Sequence, residues 1–185
     1  MRQLMEEVAR TAKKRGVQFC DVRICKNIGT AIRIQDGLAR QLSSMNDYGA
    51  AVRVFKNGTW GFASTNSVDK KSMTRAMNDA LSSVVARKSK LSLPDVKPVI
   101  GVGLSTFTIS PENVSEKEKL KVLSKLEGDA RKHSKKVTNT ELNYSDNVTT
   151  EYVANSAGTY TEQTLVRTTA GIAVTASDEI GRAHV

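Results

Sequence analysis

Gly49-Ala50-Ala51-Val52-Arg53-Val54-Phe55-Lys56-Asn57-Gly58-Thr59-Trp60-Gly61-Phe62-Ala63 is the stretch that decides how the chain is read. Two β-prone runs flank Asn57-Gly58. An Asn-Gly pair readily adopts the positive φ angles of a type I′ turn, whose twist matches that of paired strands. The stretch therefore reads as a β-hairpin, with Val52 and Val54 on one face and Arg53 on the other. Upstream, Ala31-Ile32-Arg33-Ile34-Gln35 alternates and runs into Asp36-Gly37, a second hairpin turn leading to Leu38–Met45. Phe19-Cys20-Asp21-Val22-Arg23-Ile24-Cys25 is a further β-like run.

Helices bracket these strands. Leu4, Met5, Val8 and Ala12 share one helical face, and Gly16 sits where a C-cap glycine belongs, after Lys13-Lys14-Arg15. A second helix is expected over Val68–Lys88, with Ser67 as N-cap and Met73, Ala76, Met77, Ala80, Leu81, Val84 and Val85 on one side. A methionine stripe at this spacing reads as core. Ser89–Pro111 holds all three prolines and the loose Gly101-Val102-Gly103, so it reads as a connector with a short extended piece at Thr106–Ile109. Ser115-Glu116-Lys117-Glu118 is a capping box opening a helix to Ser134, with Leu120, Leu123 and Leu126 as its apolar face. Val137–Tyr144 and Thr149–Ala154 read as strands separated by a turn at Ser145-Asp146-Asn147. Asn155-Ser156-Ala157-Gly158 turns the chain again before the Thr- and Val-rich Thr159–Ala176.

The fold class expected is α+β: an N-terminal α/β domain with antiparallel hairpins and two long helices, then the start of a mainly antiparallel β domain that is cut off. The boundaries expected are 1–135, 136–178 and a foreign tail, 179–185. Glu179-Ile180-Gly181-Arg182-Ala183-His184-Val185 matches the in-frame reading of a common sequencing adapter, so Ile180 onward is set aside as a scar.

Composition narrows the function classes. The 185 residues carry 28 Lys+Arg against 19 Asp+Glu, a formal +9. Such a balance invites phosphate binding. The basic clusters Lys13–Arg15, Arg87–Lys90 and Arg131–Lys136, however, each end a helix-like stretch, where cations complement the helix dipole. Aromatic residues are only 5% and no nucleic-acid motif interleaves with the clusters, so nucleic acid is disfavoured as a partner. No run of about 18 apolar residues suggests a membrane span, and the N-terminus has no apolar signal core. A cytoplasmic location is expected.

Few residues offer catalytic chemistry. Cys20 and Cys25, five apart on a strand, face opposite sides and cannot share a metal. There are two histidines: His184 lies in the suspected scar and His133 among lysines at a helix end. No His-Glu-x-x-His, Cys-x-x-Cys, phosphate-binding loop or Gly-x-Ser-x-Gly occurs. Read from its residues alone, the chain has no recognisable active site.

Two blocks nevertheless resemble a known family. Asp36-Gly37, Tyr48-Gly49-Ala50-Ala51-Val52-Arg53-Val54, then Asn57-Gly58-Thr59-Trp60-Gly61-Phe62-Ala63-Ser64-Thr65 and a helix ending near Ala80 look like the N-terminal domain of the TldD/PmbA family, the modulators of DNA gyrase. Tyr152-Val153-Ala154-Asn155-Ser156-Ala157-Gly158, with Arg167-Thr168 and Ala176-Ser177-Asp178, resembles the family's strand, Asn-Ser-x-Gly turn and returning strand. Tyr160-Thr161-Glu162-Gln163 favours the TldD branch.

The resemblance implies a zinc metallopeptidase acting on unfolded peptides, as a homodimer or paired with a TldE/PmbA-like subunit. Its zinc ligands, a His-Glu-x-x-x-His segment and a later cysteine, are expected beyond Asp178, so the chain by itself is expected to bind no metal and be inactive. Arg53 and Trp60 are the candidate peptide-binding residues, although the plainer reading is the stronger for both: solvent exposure or an acid partner for Arg53, and cover of an apolar face for Trp60. Gly49, Gly58, Gly61, Asn155, Ser156 and Gly158 are motif positions with a structural role. The alternatives are a non-catalytic PmbA/TldE-type subunit and a nucleic-acid-associated, gyrase-modulating regulator.

Overall fold

A computed structural model describes residues 1–85 and 91–178; residues 86–90, which include the basic cluster Arg87–Lys90, and the seven C-terminal residues lie outside them. The elements are α1 (Arg2–Lys14), β1 (Phe19–Gln35), β2 (Leu38–Lys56), β3 (Thr59–Thr65), α2 (Lys70–Ser82), β4 (Ile100–Leu104), a 3-10 turn (Pro111–Asn113), α3 (Glu116–Lys132), β5 (Val137–Asn155) and β6 (Tyr160–Ala176). The strands form a sheet of order β3-β2-β1-β5-β6-β4. β2 and β3 pair antiparallel, while β4 and β6 pair parallel. This is an α+β fold with a mixed sheet, as the alternating strand and helix patterns require.

Compactness divides the chain into two units that interleave in sequence: 1–27, 46–106 and 149–165 form unit 1, and 28–45, 107–148 and 166–185 form unit 2. The expected boundary at residue 135 is a boundary in chain order, a different kind of division. β1, β2, β5 and β6 each give one half to each unit.

In unit 1, α1 and α2 cover one sheet face. Met5, Val8, Ala9 and Ala12 of α1 pack with Met73, Ala76, Met77 and Ala80 of α2 over Cys20, Val22, Ile24, Val52 and Val54. The methionines are core, as their spacing predicts. Gly16 (φ +79) closes α1: its N–H donates to Lys13 O at 3.0 Å and the Val17 N–H reaches Ala12 O at 3.5 Å, the paired bonds of a Schellman cap. At the other end of the sheet the chain after α2 seals β3. The Phe62 N–H donates to Ser83 Oγ at 3.1 Å and the Thr59 hydroxyl to Val85 O at 2.9 Å.

In unit 2, α3 lies over Ile32, Ile34 and Leu142 through Leu123 and Leu120. Its capping box forms as predicted, Ser115 and Glu118 each bonding the other's backbone N–H. The buried polar groups are paired. Lys119 Nζ contacts Asp146 Oδ2 at 2.7 Å and Thr30 Oγ1 at 2.9 Å, and the Tyr144 hydroxyl donates to Asp146 at 2.7 Å. Glu127, 1% exposed, accepts from Gly37 N–H and the Thr140 hydroxyl.

Several local expectations are corrected. The N-cap of α2 is Asp69, whose carboxylate accepts from the Ser72 N–H and hydroxyl, and Ser67 stays outside the helix, its N–H held by Thr65. α2 ends at Ser82. Ser145-Asp146-Asn147 is no turn; β5 runs straight through it, because Asp146 is anchored by Lys119 and Tyr144 rather than by its own backbone. Gly101-Val102-Gly103 is strand rather than connector, and no strand forms at 106–109: pairing with β6 overrides the glycines' low β preference. Leu126 is 50% exposed, its expected place on the buried face of α3 being taken by Glu127.

Candidate functional site

The face of unit 1 turned away from α1 and α2 carries the arginine and the tryptophan. In the β2–β3 ladder Val54 lies opposite Gly61, Phe55 opposite Trp60 and Arg53 opposite Phe62. Side chains alternate along strands, so Val54 and Gly61 face the helices while Arg53, Phe55, Trp60 and Phe62 face the other way. Gly61 has no room for more. A Cβ there would stand 1.9 Å from Ala80 O and 2.8 Å from Val84 Cγ2. This close approach lets α2 press on β3.

Arg53 has found an acid. Its guanidinium grips Asp21 of β1 through Nε, at 3.2 and 3.1 Å to the two carboxylate oxygens, and through Nη2. Asp21 is 5% exposed. The hydrogen bonds Arg53 donates to Asp21 raise the Arg53 pKa against the opposing effect of burial, so the arginine is a fixed cation. The same guanidinium lies over the Trp60 ring, 4.8 Å from its centroid. Phe19 meets Trp60 edge-on at 6.1 Å and Phe55 meets it tilted at 5.1 Å. Asp21, Arg53, Trp60, Phe19 and Phe55 form one stack, with Trp60 44% and Phe62 58% exposed.

Trp60 also lines a cleft of about 580 Å³, with Phe19, Leu93, Pro94, Asn155 and Ser156. Asn155 Oδ1 accepts from the N–H groups of Ala157 and Thr159 at 2.9 and 3.1 Å, and Gly158 takes φ +101. Ser156 bonds β1 twice: its N–H donates to Cys20 O at 2.8 Å and its Oγ accepts from Cys20 N–H at 3.0 Å. The turn thus holds one wall of the cleft against β1. Trp60, Asn155 and Ser156 come together there, whereas Arg53 stays off the cleft lining and touches it only through the Trp60 ring. Gly49 borders a separate polar cleft of about 970 Å³ with Cys25, Arg23 and Glu151. Gly58 (φ +74) completes the β2–β3 turn after Asn57 (φ +53).

Sequence reading missed Asp21 and the Leu93–Pro94 wall. An acid alternating with Cys20 and Val22 on a β run is a signal that it faces a cation across the sheet, but not which cation. The Leu93–Pro94 position follows from tertiary contacts alone.

The thiols and acids do not make a metal centre. Among the described residues no three of His, Cys, Asp and Glu stand close enough to hold an ion. The Cys20 thiol is pushed up to about 12 by burial and by Asp21, far from the thiolate a metal needs. The residues described do not fit a zinc site. No helix among them is long and apolar enough to cross a membrane.

Two family models match, "PmbA/TldA metallopeptidase domain 1" over residues 20–87 and "PmbA/TldA metallopeptidase central domain" over 109–184. The chain is 29% identical over 147 residues to a metalloprotease of Synechocystis sp., and 28% identical over 134 residues to a metalloprotease of Methanocaldococcus jannaschii. These alignments cover 78% and 69% of this chain but only 31% and 29% of those relatives. Among solved structures, a proposed modulator of a DNA gyrase from Thermotoga maritima superposes with a TM-score of 0.72 at 17% identity, covering 92% of this chain and 42% of that one. TldE from Thermococcus kodakarensis gives 0.66 at 14%, over 94% and 43%. At these identities the structural likeness speaks to the fold.

Proposed function

We propose, on the premise that the chain belongs to the PmbA/TldD metallopeptidase family, that it is the peptide-receiving part of a zinc-dependent peptidase of the TldD branch. Extended, unfolded peptide is its ligand, and the metal ligands lie outside the residues described. The observation that carries this reading is the cleft at Trp60. An apolar wall of Phe19, Trp60, Leu93 and Pro94 faces the polar Asn155-Ser156 turn, the mix of a large apolar surface with a few fixed polar groups that a peptide segment needs. Arg53, itself neutralised by Asp21, holds the indole in place. The reading treats the chain as one portion of a longer polypeptide, in keeping with its 31% and 29% shares of its relatives. It also supplies the partners, a second subunit of the same or the TldE/PmbA type, and places the protein in the cytoplasm.

Calorimetric titration of the 185-residue chain with an unstructured peptide tests the cleft. Saturable binding is expected, weakened ~10-fold or more by Trp60→Ala and unaffected by a chelator. Peptide binding that ignores Trp60→Ala would remove the cleft from the proposal. Equilibrium dialysis against zinc tests the rest: a stoichiometric, tightly held ion together with hydrolysis by this chain would place the metal site here and overturn the assignment. The basic balance supports a second reading, a nucleic-acid-associated regulator, for which duplex DNA titrated at two salt concentrations would show steeply salt-dependent affinity.

A further inference from the structure

β4 is the last strand of the sheet, and among the described residues it has none of the protection usual for an edge. Its partner β6 takes one side, with Ile100 opposite Tyr160 and Leu104 opposite Thr164. The Tyr160 N–H donates to Val99 O at 2.8 Å and the Ser105 N–H to Thr164 O at 2.9 Å. Odd-numbered residues therefore spend their backbone groups on β6. By the two-residue repeat, the N–H and C=O of Ile100, Val102 and Leu104 point away from the sheet. Those three side chains are each 65% exposed, and the residues between them are glycines. From Pro98 to Ser110 there is no charged residue in a chain that is 25% charged. Edges left open in solution are normally guarded by lysine, by a bulge or by a covering segment. The other edge of unit 1, β3, has such a cover in Ser83 and Val85.

The pattern also reads the same in both directions. Ile100-Gly101-Val102-Gly103-Leu104 is apolar, glycine, apolar, glycine, apolar. We propose that β4 is a self-association edge, pairing antiparallel with β4 of a second copy about a two-fold axis through Val102. Val102 then faces its own equivalent, Ile100 faces Leu104 of the partner copy, and glycine faces glycine. All the outward N–H and C=O groups of the three residues on both strands are satisfied in hydrogen-bonded pairs, and the apolar side chains line one face of the seam. No charge is stranded, because neither edge has any. A two-fold, isologous contact needs this self-complementarity. A five-residue edge falls short of the ~800 Å² per partner of a stable complex, so the dimer is weak and concentration-dependent.

Sedimentation of the full 185-residue chain over roughly 10–300 µM, a span suited to a weak interface, tests this without any reading of activity. The expected result is a monomer–dimer equilibrium. Val102→Lys and Val102→Glu, each at an exposed position, are expected to raise the dimer Kd at least ~10-fold alone, with unchanged circular dichroism, and to restore a dimer when mixed one to one. A chain that stays monomeric to the top of that range overturns the proposal. So does a dimer indifferent to either charge, or a mixture no more associated than its components; binding of an unrelated apolar peptide at this edge by a monomeric chain assigns the edge to another occupant.

Discussion

Replacing Gly61 with alanine is the most direct test of how α2 is seated on the sheet. The added methyl carbon would lie 1.9 Å from Ala80 O, a backbone atom in the last turn of α2, and under 3 Å from Val84 Cγ2 and Ser83 Oγ as well. A flexible side chain could step aside, but a helix carbonyl moves only with its helix. The strain has to be relieved by lifting the C-terminal turn of α2, which unpacks Ala80 from the core and pulls Ser83 off the Phe62 N–H. Overpacking of a tight interior costs about 1–3 kcal/mol, and a backbone clash in a close-packed site falls at the upper end, about 3 kcal/mol. For a chain of this length that is a fall in Tm of about 6–12 °C. Trp60 is the only tryptophan and sits one residue away, so its fluorescence in a urea titration reports unit 1 directly. Gly101→Ala is the control: its Cβ meets nothing within 4 Å, and it is expected to be neutral or stabilising by ~0.5 kcal/mol. A Gly61→Ala chain unfolding within ~0.5 kcal/mol of the parent would refute the close approach.

Asp21→Asn leaves the Arg53 guanidinium without its carboxylate; a loss of about 2–3 kcal/mol is expected, and a double-mutant cycle with Arg53→Ala should return a coupling of ~1 kcal/mol or more. The caps on α2 and α3 give a pH dependence. Hydrogen bonds from Ser72 to Asp69 and from Ser115 to Glu118 lower both carboxyl pKa values in the folded chain. Their contribution is therefore complete above the unfolded carboxylate range and is lost as pH falls through the depressed folded values. The Tm gap between the parent and Glu118→Ala should close as pH is taken below the ordinary carboxylate range, and a gap that widens there would contradict the assignment. Thiol labelling at pH 8 should modify the half-buried Cys25 before Cys20, whose pKa near 12 and full burial keep it silent until unfolding. Equal rates for the two thiols would show that β1 does not shield Cys20.

Much of this fold was written in short-range signals. Asn57-Gly58, Asp36-Gly37, the Ser115–Glu118 box and Gly16 each act within a few residues, and each formed as its local chemistry dictates. What stayed hidden depends on distant partners. Asp146 has the composition of a turn residue, and Lys119, 27 positions earlier, together with Tyr144, makes it a strand residue. Gly101-Val102-Gly103 looks like slack until β6 pairs with it. The candidate site divides in the same way. Arg53 was legible as facing away from Val52 and Val54 toward solvent or an acid, because alternation fixes that face, and Trp60 as cover for an apolar surface. Their grip through Asp21 and the Leu93–Pro94 wall were not, because each joins segments distant in sequence.

The cover that Ser83 and Val85 place over β3 has a consequence for assembly. A sheet with both flanks free can add copies without limit, and the product is a fibre. Within unit 1 the β3 flank is held at Thr59 and Phe62, so strand addition on that unit is directed to β4. Loss of the Ser83 hydroxyl would free the Phe62 N–H and open β3 to a second incoming strand.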